Sequence, residues 1–84
     1  MTRRALVERS VARCAALERR YPGLEPVESL ARQLAYLLDR EEGRTVDCSG
    51  IERLTIRVIA AREIEPRDPE LADLLSQLMD RLGI

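Results

Sequence analysis

Residues 25–43 have the sequence EPVESLARQLAYLLDREEG, and this stretch decides the fold of the chain. Pro26 stands where a first helical residue is expected and Gly43 where a helix commonly ends, so a helix is predicted over residues 26–42. Apolar residues recur along it at the spacing of one buried helical face. These residues are Val27, Leu30, Ala31, Leu34, Leu37 and Leu38. The opposite ridge is predicted to consist of Ser29, Gln33, Tyr36 and Arg40.

Helices are also predicted on either side of this stretch. Thr2 can cap a first helix that runs to residue 20, where Pro22 and Gly23 follow and end it. Its apolar stripe comprises Val7, Val11, Cys14, Leu17 and Tyr21. Asp68 as N-cap, with Pro69 after it, predicts the start of a last helix that ends at Gly83. One face of this helix carries Leu71, Leu74, Leu75, Leu78 and Leu82.

The third segment, residues 51–65, has two interpretations. Residues 54–59 are rich in β-branched side chains and could form a strand. A helix is favoured because four apolar residues keep helical spacing and are expected to share one face: Ile51, Leu54, Val58 and Ala61. Ser49 and Glu52 have the spacing of a capping box, after a loop over residues 44–49. Because the connections are short, the sequence predicts an all-α fold, a compact single-domain bundle of about four mostly antiparallel helices over residues 1–84.

The composition narrows the class of function. The chain has 84 residues, of which 45% are hydrophobic and 35% charged, and this suits one small globular domain. It contains no histidine, the usual general base and the commonest metal ligand, and its two cysteines are too few for a zinc site. The net charge of −1 argues against a nucleic-acid binder. The composition therefore favours a helical binding module over an enzyme, with no cofactor.

Several short motifs occur in an order that resembles a known family. They are RYPG at 20–23, QLAY at 33–36, ERLT at 52–55, IA at 59–60 and DPEL at 68–71. Over residues 19–75, this ordered set resembles the small helical immunity proteins of type VI secretion systems, which neutralise effectors that hydrolyse NAD⁺ and NADP⁺. The resemblance implies a cytoplasmic protein, without catalysis of its own, that binds a cognate effector toxin and occludes its active site. It implies no catalytic, cofactor-binding or metal-binding residue, and neither nucleic acid nor a membrane as partner.

Six residues are predicted to contact the toxin: Gln33, Tyr36, Arg40, Glu63, Glu65 and Asp68. Tyrosine and arginine are enriched in interface hot spots, and an exposed Tyr36 between Gln33 and Arg40 would be an anchor. Packing against a neighbouring helix is the alternative role of this tyrosine. The carboxylates of the acidic stretch could take the place of dinucleotide phosphates, although Asp68 also suits local helix capping.

Two other functions stay open. A helix-turn-helix antitoxin or regulator would contact DNA phosphates through Arg53, Arg57 and Arg62 of the third segment. An adaptor bundle would pair two copies of the chain, and a homodimer of the free protein is compatible with the immunity function. An exposed Met79 on the last helix would support such a pairing. Cys14 is predicted to fill the core, and Cys48 to be an inert loop thiol.

Overall fold

The computed structural model describes residues 2–43 and 55–83, and these residues form a helical bundle around one core. The elements are α1 (Arg3–Arg20), α2 (Glu25–Glu41), α3 (Ile56–Ile59), a π-helical segment (Ala60–Ile64) that continues α3, and α4 (Pro69–Leu82). α1 packs against α2 and α4, and α3 with the π-helical segment packs between α2 and α4. Arg3 at the start of α1 pairs with Glu41 at the end of α2, so these helices are antiparallel. The predicted all-α bundle is confirmed.

The helix ends follow the signals in the sequence. The Thr2 hydroxyl accepts a hydrogen bond from the amide of Ala5 at 3.1 Å, which caps α1. The Asp68 carboxylate accepts one from the amide of Leu71 at 3.2 Å, which caps α4. Gly83 closes α4 in the left-handed conformation, with φ of 76°, which is accessible to glycine at little steric cost. Local sequence therefore fixes where these helices begin and end.

The core is built mainly from the predicted apolar stripes. In α2 the fully buried members are Val27, Leu30, Leu34 and Leu37, whereas Ala31 and Leu38 are partly buried. In α1 the structure buries Val7, Cys14 and Leu17, and it adds Leu6 and Ser10 to them. The wider buried face of α1 follows from its position, because this helix contacts both α2 and α4. Val11 and Tyr21 pack at the edge of the core.

Cys14 is a core residue, as predicted. Its side chain is only 1% exposed, and its thiol donates a hydrogen bond to the carbonyl oxygen of Val27 at 3.8 Å. Burial raises the pKa of the Cys14 thiol to about 11, because the thiolate would lose its hydration, and the nearby Glu18 adds to the effect. The sulfur is therefore a packing atom rather than a nucleophile. Cys48 lies outside the described residues, as do the predicted loop and capping box.

The third segment is helical over residues 56–64, but its predicted apolar face was wrong. Val58 is 53% exposed and Ala61 is also exposed, while Ile51 and Leu54 lie outside the described residues. The core instead receives Ile56, Ala60 and Ile64. In a regular α-helix, each step of four residues turns the side chain about 40° past a full turn, so Ile56, Ala60 and Ile64 would not stay on one face. The wider π turn, closed by a 2.9 Å bond from the Glu65 amide to the Ala60 carbonyl, compensates for this drift and returns Ile64 to the core.

The structure decides two questions of exposure that the sequence left open. Met79 is 1% exposed, because α4 packs against both α1 and the π-helical segment and so buries a wide face. The argument for a homodimer from an exposed Met79 therefore fails. Tyr36, for which an exposed anchor and packing within the bundle were both considered, is half-buried and packs against the core. No helix in residues 2–43 and 55–83 has both the length and the apolar character needed to span a membrane.

Ser10 offers a test of how the core is built. Its side chain is fully buried, and its hydroxyl oxygen has no hydrogen-bond partner. Such a group costs about 1–3 kcal/mol relative to hydration. We therefore expect Ser10→Ala to raise the free energy of unfolding by about 1 kcal/mol more than Ser76→Ala, measured by urea denaturation. Ser76 is exposed in α4, and replacing it by alanine brings the same gain in helix propensity without removing a buried hydroxyl. Equal effects of the two substitutions would contradict a cost of burying the Ser10 hydroxyl.

Candidate functional site

The predicted polar ridge of α2 is half-buried along its length. Ser29, Gln33, Tyr36 and Arg40 are all of intermediate exposure. α2 packs against α3 and the π-helical segment as well as against α1, and Ser29 and Gln33 lie on the side of α2 that faces α3. This face of α2 therefore lies beside another helical element instead of facing solvent alone.

Gln33 connects α2 to the start of α3. Its side-chain amide donates a 2.9 Å hydrogen bond to the Thr55 hydroxyl, and its carbonyl oxygen accepts a 2.8 Å bond from the Thr55 amide. A further 3.3 Å bond runs from the Gln33 amide to the Ser29 hydroxyl. These bonds give Gln33 a structural role that the sequence did not reveal, because Thr55 is 22 residues away.

Asp68 is engaged at the corner where α4 meets α1. The Arg13 Nε donates hydrogen bonds to both carboxylate oxygens of Asp68, at 3.0 and 2.8 Å, and Arg13 also pairs with Glu70 at 3.0 Å. Desolvation alone would raise the pKa of Asp68. The bonds from Arg13 and from the Leu71 amide outweigh it, so the pKa of this carboxyl lies below its usual value. The helix-capping role foreseen for Asp68 is confirmed, with an ion pair added to it.

Glu63 and Glu65 have different surroundings. The Arg67 guanidinium donates a 2.7 Å hydrogen bond to the backbone carbonyl oxygen of Glu63 and a 3.2 Å bond to the side-chain carboxylate of Glu63. The guanidinium of Arg67 also lies 5.5 Å from the ring centroid of Tyr21, which attaches this turn to the end of α1. Glu65, in contrast, is exposed, and its carboxylate has no ion pair or hydrogen bond with any described residue.

The structure therefore divides the six candidate residues among several places. Gln33, Tyr36 and Arg40 lie along α2, and Asp68 lies at the α1–α4 corner. Glu63 lines a shallow groove between α2 and the π-helical segment, whereas Glu65 lines a groove between that segment and α4. A single flat contact with all six residues is not what the fold presents.

Between the two grooves lies a surface whose residues the sequence did not group together. We call it the outward ridge, and it consists of Arg57, Val58, Ala61, Arg62 and Glu65, all exposed. Arg57 and Glu65 reach the groove toward α4, which has a volume of about 370 Å³ and an apolar floor that includes Ala72 and Leu75. Val58 and Arg62 reach the groove toward α2, whose volume is about 320 Å³. The sequence did contain a sign of this surface. The segment has one apolar stripe that is buried, with Ile56, Ala60 and Ile64, and a second one, with Val58 and Ala61, that the core does not need.

The arginines proposed for DNA contact do not form a basic surface in the described part of the chain. Arg57 is paired with Asp80 at 2.8 Å and lines a groove together with Glu65, whereas Arg62 lines the other groove together with Glu25 and Glu63. Arg53 is outside the described residues. Within residues 2–43 and 55–83, no cluster of three or more histidine, cysteine, aspartate or glutamate side chains is placed to hold a metal ion.

Comparison with known proteins gives consistent matches over most of the chain. The model of the Tsi6 family matches residues 2–81. The immune protein Tsi6 of Pseudomonas aeruginosa is 36% identical over 75 residues, which cover 89% of this chain and 80% of that protein. A structure of Tsi6 from the same species superposes with a TM-score of 0.84 at 35% identity, covering 93% of this chain and 81% of the other. A structure of Tse6 in complex with Tsi6 also matches with a TM-score of 0.84, at 31% identity, covering all of this chain and 95% of the matched one.

The ion pair at the α1–α4 corner predicts a specific dependence of stability on pH. Because the pKa of Asp68 is lowered by folding, the pair stabilises the native state above the ordinary aspartate pKa of about 3.9, and this contribution is lost as the pH falls below it. Asp68→Asn keeps a capping oxygen but removes the charge. We expect it to lower the free energy of unfolding by about 1 kcal/mol at pH 7 and by much less at pH 3.

The control is Arg13→Gln, which removes the other half of the pair. Denaturation of both single variants and of the double variant at the two pH values completes the cycle. Additive losses at pH 7, or a loss that is the same at pH 3, would contradict an electrostatic role for this contact.

Proposed function

This chain belongs to the Tsi6 family, and from that membership we propose that it is an immunity protein that binds a cognate type VI secretion effector toxin and occludes its active site. The observation that carries the proposal is the match of the whole chain to a structure of Tse6 in complex with Tsi6. That match extends beyond local motifs, because it includes the arrangement of the helices around the core. The partner of this chain is then an effector related to Tse6.

The proposed mode of action is obstruction without catalysis. Helices that share one core, with side-chain caps at the starts of α1 and α4, can enter a cleft with little loss of conformational entropy, which favours tight binding. A standard interface needs about 800 Å² from each partner, a modest part of the 5120 Å² that this chain exposes. We place this action in the cytoplasm, where an immunity protein meets a toxin that consumes nucleotides.

We further propose that the toxin is an enzyme that hydrolyses a dinucleotide. The resemblance in sequence implies an effector that hydrolyses NAD⁺ or NADP⁺. A cleft that accepts a dinucleotide must stabilise two phosphates, so it offers positive charge or amide donors to a carboxylate. Of the six candidate residues, Glu65 is the one whose carboxylate is exposed and without a partner among the described residues, and it fits this role best. Gln33, Tyr36, Arg40, Glu63 and Asp68 remain proposed contacts, although each already has a contact within the bundle.

The first experiment measures the loss of NAD⁺ caused by the toxin domain encoded beside this chain. We expect the purified chain to stop the reaction at a molar ratio close to one to one, because occlusion is stoichiometric. A small helical protein of another family, added at the same concentrations, is the control for non-specific effects.

Three other results would each withdraw a part of the proposal. A toxin that consumes NAD⁺ at an unchanged rate in excess of the chain would withdraw the assigned target chemistry. If size-exclusion chromatography of the mixture also showed no complex, the immunity function itself would be withdrawn. A complex without inhibition would retain the partner and withdraw the occlusion of the active site.

A further inference from the structure

We propose that the outward ridge is the surface with which this chain docks into its effector, with Val58 entering an apolar socket and with Arg62 and Glu65 contacting opposite charges on either side. This inference rests on the proposed function and adds to it the location and the chemistry of the contact. It also places the contact on α3 and the π-helical segment rather than on the polar ridge of α2.

The first support is the presence of two apolar stripes in one short segment. Ile56, Ala60 and Ile64 supply the core, so Val58 and Ala61 are not needed for folding and point outward. Val58, at 53%, is the one large hydrophobic side chain of residues 2–43 and 55–83 that is more than half exposed. A single exposed valine is ordinary on a protein surface, and what distinguishes Val58 is its position between two grooves and beside two charges that have no ion pair with a described residue.

The second support is the shape of the surroundings. A groove runs along each side of the outward ridge, one toward α2 and one toward α4. A ridge between two grooves can interlock with a partner, and such a fit excludes water from the centre of the contact. The groove between α1 and α4 differs, because Arg13 already pairs with Asp68 and Glu70 at its rim.

The third support is the charge pattern, which defines the partner. Arg57 is paired with Asp80 and Glu63 with Arg67, so these charges are largely balanced within the chain. Arg62 and Glu65 have no ion pair with any described residue. Arg62 lines the groove toward α2 and Glu65 the groove toward α4, with the apolar residues between them. The complementary surface therefore has an apolar socket with an acidic group on the side of Arg62 and a basic group on the side of Glu65.

The fourth support is the rigid attachment of the ridge. Its far end is held by the bond between the Glu65 amide and the Ala60 carbonyl, and its near end by the two bonds between Gln33 and Thr55. The turn after it is attached to α1 through Arg67 and Tyr21. Because the ridge is fixed before binding, little entropy is lost when it enters the partner.

The test measures the affinity of variants of the full chain for the toxin domain encoded beside it, by calorimetry. We expect Val58→Arg to weaken binding at least 100-fold, and Val58→Ala about tenfold. Arg62→Glu and Glu65→Arg should each weaken it five- to twentyfold, and more strongly at low salt than at high salt. The matched control is Ala16→Arg, which places the same side chain at an exposed position in the α1–α4 groove and should stay within twofold of the wild type.

Circular dichroism and urea denaturation of each variant separate loss of binding from loss of folding. Folded Val58→Arg that binds within threefold of the wild type would overturn the proposed surface and leave the immunity function intact. The same holds if Ala16→Arg abolishes binding while Val58→Arg does not. If the wild-type chain itself does not bind the toxin domain, the proposed function fails, and this inference fails with it.

Discussion

A short helical segment can bury only one of two apolar stripes, and the arrangement of the bundle depends on which one it buries. In residues 56–64 the core receives Ile56, Ala60 and Ile64, and the π turn is what keeps these residues on one face. Had Val58 and Ala61 been buried, the segment would have turned about its axis and carried Arg62 and Glu65 with it. The exposed charges and grooves of this region are therefore consequences of how the core is filled.

Contacts between distant parts of the chain then fix the orientation of that segment. Gln33 binds its beginning, and the turn at its end is attached to α1 twice, through Arg67 on Tyr21 and through Arg13 on Asp68. Each contact is modest in free energy, because the side chains involved are partly exposed to water. Together they confine a short segment that spans only residues 56–64. This division of roles leaves the outer surface available for binding while the inner surface holds the fold.

The sequence predicted the helices well because their ends depend on local chemistry. Thr2, Pro26, Gly43 and the pair Asp68–Pro69 act within a few residues of their own position, and the observed helices begin or end beside them. The face that each helix presents depends on its neighbours, which local periodicity does not reveal. Met79 is buried because α4 touches two elements, and the contacts of Gln33 and Arg13 span 22 and 55 residues. The outward ridge was therefore only partly predictable, because Glu65 was among the candidate residues whereas Val58 was assigned to the buried face.

Cys14 gives this bundle an internal probe of its own motions. Its sulfur lies against the backbone of α2 at Val27, and in the closed state it offers a reagent neither access nor a thiolate. An alkylating agent can reach it only after α1 and α2 separate, so the labelling rate at this one atom counts opening events. Peptide-resolved mass spectrometry can follow that rate without any engineered residue. The alkylation rate of Cys14 therefore reports how often α1 and α2, the two longest helices, separate in the unmodified protein.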